Sequence, residues 1–128
     1  MNNLKFRAWD KKHKEMFEVI KIEFHPNIFY MAKEPAWIVI RAKNEIELMQ
    51  STGLKDKNGV EIYEGDIIDV GTRIPFLNKI QRDEETAYLK LVPLDKRWTE
   101  SYFTNFEDKS RYEVVGNIYE NKELLGND

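Results

Sequence analysis

Apolar and polar positions alternate from the first residues of the chain. Leu4, Phe6 and Ala8 are set against Lys5, Arg7 and Trp9, the period of two that marks a half-buried strand. A polar tip, Asp10-Lys11-Lys12-His13-Lys14, separates this stretch from Met16-Phe17-Glu18-Val19-Ile20, and the two read as a β-hairpin with a charged turn. Pro26-Asn27 marks a turn before Ile28-Phe29-Tyr30, and Ala36-Trp37-Ile38-Val39-Ile40 is a third short, β-branched run. Over residues 45–50 a helix competes with a strand, and Ile46 and Leu48 interleaved with Glu45 and Glu47 fit alternation better.

Asn58-Gly59 is the sharpest local signal, the pair favoured in a type I′ hairpin turn because both residues tolerate positive φ. Val60-Glu61-Ile62-Tyr63 alternates after it, Glu64-Gly65-Asp66 makes another tight turn, and Ile67-Ile68-Asp69-Val70 resumes as strand. Residues 71–75 break the pattern, and residues 79–85 read as a charged connector. Ala87, Leu89 and Leu91 then alternate with Tyr88, Lys90 and Val92 as far as Pro93. Residues 98–106 carry Trp98, Tyr102, Phe103 and Phe106 without clean periodicity, whereas residues 112–119 read as a strand bulged at Gly116. No segment shows a helical stripe. Short strands with frequent turn residues predict a mainly β protein, a small barrel or sandwich. The change from irregular hairpins to regular strands near residues 50–57 predicts a division into 1–50 and 51–128.

Composition narrows the class. The 128 residues allow one domain, and a charged fraction of 34% makes the surface heavily ionic against a norm of about 25%. The chain has no cysteine, which excludes disulfides, thiol nucleophiles, iron–sulfur clusters and cysteine-ligated zinc. The longest apolar run, residues 36–40, falls far short of the roughly 20 residues that span a bilayer, and the first residues lack a signal-peptide pattern. The reading is therefore cytoplasmic, with no membrane partner. Net charge is −3, unlike the clearly basic balance of a protein built to neutralise duplex phosphates. Within residues 1–14, however, Lys5, Arg7, Lys11, Lys12 and Lys14 face Asp10 alone, while Glu107, Asp108, Glu113, Glu120, Glu123 and Asp128 make the other end acidic. Ends of opposite sign suit head-to-tail contact between copies, or two solvated faces.

Candidate chemistry is sparse. The two histidines, His13 and His25, accompany no Gly-x-Ser-x-Gly element. Aligning Gly59 with the invariant glycine of a calcium loop puts Leu54 and Gly65 at ligand positions, so Asp56-Lys57-Asn58-Gly59 reads as a turn. Asp66 and Asp69 fall on opposite faces of a strand, where Asp66 suits accepting backbone hydrogen bonds, and Glu84-Glu85 sits in a charged loop. No catalytic, cofactor or metal site is assigned, and the chain is read as no enzyme. Nucleic acid is the main alternative. Trp98, Tyr102, Phe103 and Phe106 suit base stacking beside Lys96, Arg97, Lys109 and Arg111, with the basic arm of Arg7, Lys11, Lys12 and Lys14 for phosphates. Against it stands the reading of these aromatics as core. A protein-interaction role is preferred, because Phe6, Trp9, Phe17, Phe29 and Trp37 crowd an N-terminal part too small to bury them all alone.

Three blocks together resemble the YopX family of phage and prophage proteins. They are Leu4-Lys5-Phe6-Arg7-Ala8-Trp9-Asp10; residues 48–59, running on through Glu61-Ile62-Tyr63-Glu64-Gly65-Asp66-Ile67-Ile68; and residues 112–121, followed by Glu123-Leu124-Leu125. Lys122 departs from the proline that the family tends to carry there. The resemblance implies a β-rich fold, with a smaller N-terminal subdomain associated with self-assembly and an SH3-like barrel in the C-terminal half. It brings no activity, cofactor or catalytic residue. The combined expectation is a mainly β protein, a small N-terminal β-hairpin subdomain (1–50) followed by an SH3-like β-barrel (51–128). Its expected role is a self-associating phage or prophage accessory module, a homo-oligomer that binds a host or phage protein, with weak nucleic-acid binding as the alternative.

Overall fold

Eleven strands account for most of the computed structural model, which describes residues 5–33, 37–103 and 111–126. The chain falls into two compact units, Met1–Ser51 and Thr52–Asp128. In the first unit, β1 (Phe6–Asp10), β2 (Glu15–Glu23), β3 (Ile28–Lys33), β4 (Trp37–Ala42) and the start of β5 (Ile46–Lys55) form an antiparallel sheet in the order β4-β3-β2-β1-β5. The 3-10 turn Lys43–Glu45 alone joins β4 to β5. Those strands occupy opposite ends of the order, four inter-strand spacings or about 19 Å apart in a flat sheet. The link from Ala42 to Ile46 reaches at most about 14 Å when fully extended, so the sheet must roll.

A bulge in β2 between Val19 and Lys21 supplies extra twist and turns Ile20 outward. The rolled sheet wraps Ala8, Phe17, Phe29, Met31 and Ile46, with Val19, Ile22 and Val39 packed against them. Of the five crowded aromatics, Trp9, Phe17 and Phe29 are buried, Phe6 is half-buried and Trp37 is exposed.

In the second unit the end of β5 turns through Asp56–Gly59 into β6 (Glu61–Tyr63), which pairs with β5. A five-stranded antiparallel sheet follows in the order β10-β9-β8-β7-β11. Its strands are β7 (Asp66–Asp69), β8 (Leu77–Arg82), β9 (Leu89–Pro93), β10 (Ser101–Tyr102) and β11 (Glu113–Asn117). The core is Ile62, Ile68, Val70, Ile80, Leu91, Phe103 and Tyr112. The sheet is open, with β10 and β11 as edges among the described residues, so the β strands expected here are present but the SH3-like closure is not.

Two local expectations change. Gly59 has φ of 81°, yet Asn58 stays out of the left-handed region, so the turn is not type I′. Asp56 and Val60 instead bracket a three-residue loop, with Asp56 N–H donating to Val60 O (2.8 Å) and Gly59 N–H to Asp56 O (3.0 Å). Residues 79–85 are not merely a connector, since Leu77–Arg82 is β8, paired with both β7 and β9. The bulge expected at Gly116 is found as a register shift between Val114 and Gly116.

Gly71 has φ of 80°, and a Cβ there would stand 2.6 Å from both the Cβ and the carbonyl oxygen of Arg111. Gly71→Ala is therefore expected to lower stability by about 2 kcal/mol, from left-handed strain plus a backbone clash. Urea unfolding at neutral pH measures it.

Candidate functional site

The surface that stands out is β4. It is the end strand of the first unit's order, and Trp37 (75% exposed), Ile38 (63%) and Ile40 (54%) lie along it. Val39 turns inward against the core between Ile38 and Ile40, so exposed apolar side chains occur on both faces of one strand. At its C-terminal end the edge is closed by side chains: the Glu45 carboxylate accepts Ala42 N–H (2.8 Å), and the Arg41 guanidinium donates to Ile40 O (2.9 Å). Both groups belong to even-numbered positions, and alternate residues of a strand share an edge. Ile38 therefore presents its backbone to the same side.

Arg41 also fixes this end from the inside. Its Nε donates to Asp10 Oδ2 at 2.9 Å, and Asp10 is fully buried. Asp10 Oδ1 accepts the N–H groups of Lys12 and His13 (both 3.1 Å), and His13 Nδ1 lies 3.1 Å from Oδ2. Burial pushes the Asp10 carboxyl up, but the His13 N–H, the Arg41 guanidinium and the His13 ring outweigh it and hold its pKa below the ordinary value. The group has the outline of an Asp–His pair, yet no Ser or Thr hydroxyl reaches the His13 ring among the described residues. Its work is mechanical: it ties the β1–β2 tip to the end of β4.

The other residues singled out by sequence are dispersed. His25 is exposed beside the turn before β3, and Glu84 and Glu85 lie exposed in the β8–β9 connection. Asp66 is buried and accepts Tyr63 N–H (2.7 Å), the turn role expected of it, while Asp69 accepts Gly71 N–H. The Asp56 carboxylate is filled by three backbone N–H groups, from Asn58, Val60 and Val114. No group of three His, Asp or Glu side chains suited to a metal occurs among the described residues. Nor is any described helix long and apolar enough to cross a membrane.

The aromatic stacking set divides. Phe103 is core, stacked on Tyr112. Trp98 is exposed and meets Phe76 edge-on at 5.7 Å, Tyr102 is exposed and meets Tyr88, and Phe106 and Lys109 lie outside the described residues. Of the basic partners, Arg97 grips Asp95 with Nε and Nη2, which holds the Asp95 carboxyl at about 2. In the N-terminal arm, Lys11 lies 3.6 Å from Glu47. Sequence reasoning passed over Ile38 and Ile40 as parts of an apolar run, and Asp10 as a turn residue. The edge position of β4 depends on sheet order, which no local pattern carries.

A family model described as YopX protein matches residues 5–126 of this chain. The crystal structure of protein EF1440 from Enterococcus faecalis is similar, with a TM-score of 0.62 and 29% identity, covering 98% of this chain and 100% of that one. No curated protein matches the chain.

Proposed function

The chain belongs to the YopX family, and from that premise we propose that it is a non-enzymatic phage or prophage accessory protein that self-associates and binds a protein partner in the host cytoplasm. The observation that carries the reading is β4, an end strand bearing exposed Trp37, Ile38 and Ile40. Natural proteins blunt such edges with charge, proline or covering segments, because a bare apolar edge recruits another strand. A second copy is the occupant that suits it. Laid antiparallel with Val39 opposite Val39, the two strands set each Ile38 against Ile40 of the other copy and each Trp37 against Arg41, so the patch complements itself about a two-fold axis once the Arg41 guanidinium yields Ile40 O to the incoming strand. Strand addition of this kind draws affinity from backbone hydrogen bonds and specificity from alternate side chains.

The nucleic-acid alternative draws less support. Arg97 is engaged by Asp95, and Lys90 lies between Glu100 (2.8 Å) and Asp83 (3.6 Å), so these two cations near the exposed aromatics are already neutralised.

Sedimentation of the full chain tests the proposal. The wild type is expected to be dimeric at tens of micromolar, and Ile38→Lys, which places a charge on the edge at an exposed position, to weaken the dimer by about tenfold or more with an unchanged circular-dichroism spectrum. A monomeric wild type, or an Ile38→Lys variant that associates equally well, removes the reading.

A further inference from the structure

The free edge of β4 carries its own stopper. The Arg41 guanidinium is a planar fork, and each of its nitrogens has a different partner. Nε donates to the buried Asp10 carboxylate (2.9 Å), Nη1 donates to Ile40 O (2.9 Å), and Nη2 lies 3.3 Å from His13 Nδ1. Ile40 O is on the side of β4 that a second copy would pair with. In the register centred on Val39 it is the acceptor that Ile38 N–H of the other copy would seek. Arg41 already holds that acceptor, so the ladder between copies forms only when Nη1 lets go.

His13 Nδ1 stands between two partners that make opposite demands on it. Asp10 Oδ2, at 3.1 Å, is a carboxylate oxygen that accepts; Arg41 Nη2, at 3.3 Å, can only donate. Without a proton, Nδ1 accepts from Arg41 and completes the fork. With one, it donates to Asp10 and turns an N–H toward an N–H. The imidazolium has the second role alone, and it adds a positive charge beside the guanidinium. Burial raises the Asp10 carboxyl, but the His13 backbone N–H and Arg41 outweigh it, so this acceptor keeps its charge through the range where histidine titrates. Asp10 and Arg41 are the charged groups in contact with the His13 ring among the described residues. Around them, Lys12 and Lys14 are exposed on the tip, Lys11 lies 3.6 Å from Glu47 of β5, and Glu15 of β2 lies 3.7 Å from Lys33. In the turn after β4, Lys43 is exposed and the Glu45 carboxylate is taken by Ala42 N–H. We infer that Arg41 is an inhibitory cap on the β4 edge and that protonation of His13 releases it, so the chain self-associates more tightly in mildly acid than in mildly alkaline solution. This rests on the self-association through β4 proposed above. Asp10 keeps Arg41 Nε in both states, so the end of the strand stays in place while its carbonyl opens.

Sedimentation of the full chain at about pH 8 and about pH 6 reads the effect on assembly. The dimer is expected to be about tenfold tighter at the lower pH. His13→Gln, a change at a side chain 51% exposed, should fold and abolish that difference. The cap itself is read without association, in the Ile38→Lys chain labelled with ¹³C at its backbone carbonyls. There the Ile40 carbonyl resonance is expected to titrate together with the His13 ring, and adding His13→Gln should remove the titration. A wild type that Ile38→Lys weakens but that associates equally at both pH values overturns the switch and leaves the edge reading intact, as does an Ile40 carbonyl indifferent to His13. Association untouched by Ile38→Lys overturns docking through β4, and the proposed control of assembly with it, even where the Ile40 carbonyl titrates.

Discussion

Asp56→Ala is expected to lower the stability of the protein by about 3 kcal/mol at neutral pH. The estimate rests on three backbone donors losing the charged acceptor of a buried carboxylate, each such bond being worth about 1.5–3 kcal/mol before local rearrangement and water recover part of it. Asp56 Oδ1 accepts Asn58 N–H and Val60 N–H, both at 2.8 Å, and shapes the three-residue loop between β5 and β6. Its Oδ2 accepts Val114 N–H at 2.9 Å, fixing that loop to the start of β11, where Lys57 N–H donates to Tyr112 O as well. One carboxylate thus joins segments 58 positions apart.

Burial raises the Asp56 carboxyl, but the N–H groups of Val114, Val60 and Asn58 outweigh it, so its folded pKa lies below the ordinary 3.8. A depressed carboxyl stabilises the fold fully above the unfolded pKa and ceases to do so as pH falls through the folded one. The gap in urea midpoint between wild type and Asp56→Ala is therefore expected to be widest at neutral pH and to narrow below the carboxylate range. A gap independent of pH would mean that shape, not charge, fills this turn.

Much of this architecture is written in local pattern, and its gaps have physical causes. Alternation locates β1, β2 and β9, and the Val114–Gly116 irregularity follows from a glycine inside a strand. β8 was illegible because Asn78-Lys79-Ile80-Gln81-Arg82 offers one apolar core residue, and a strand held on both sides by β7 and β9 needs little propensity of its own. Asn78 deepened the ambiguity, since a polar residue facing a core argues locally against a strand. The Asn58-Gly59 pair named the hairpin but not its turn type, which the Asp56 carboxylate decides by drawing in two N–H groups.

The roll of the first unit depends on the three-residue link between distant strands, a statement about sheet order that sequence distance conceals. For the same reason an apolar run such as residues 37–40 told of a strand without telling that it ends the sheet among the described residues. The site is legible only once the order of strands is known.

Asp10→Ala is expected to cost still more, about 4 kcal/mol, and to act on assembly too. Breaking a fully buried charged pair costs about 3–5 kcal/mol; here Asp10 is buried and Arg41 partly exposed, and the lost tip hydrogen bonds add to the loss of the pair. Here the loss falls on Arg41, His13 and the Lys12 N–H together. Arg41→Met should cost less, about 2 kcal/mol, because Asp10 keeps its tip contacts. The double variant should cost clearly less than the sum of the two, since Arg41 has then no carboxylate to lose, and a chemical-denaturation cycle reads this coupling. Additive losses would show that the pair contributes nothing beyond its separate packing.

Arg41 belongs to the strand offered to a second copy, so releasing it from Asp10 frees the end of β4. Asp10→Ala should then weaken dimerisation in parallel with folding, whereas Ile38→Lys should weaken dimerisation alone. The two variants separate the order of the edge from its chemistry. If association survives Asp10→Ala under conditions where the chain remains folded, the edge does not need the buried pair to hold its shape, and the link from Asp10 through Arg41 to assembly is cut.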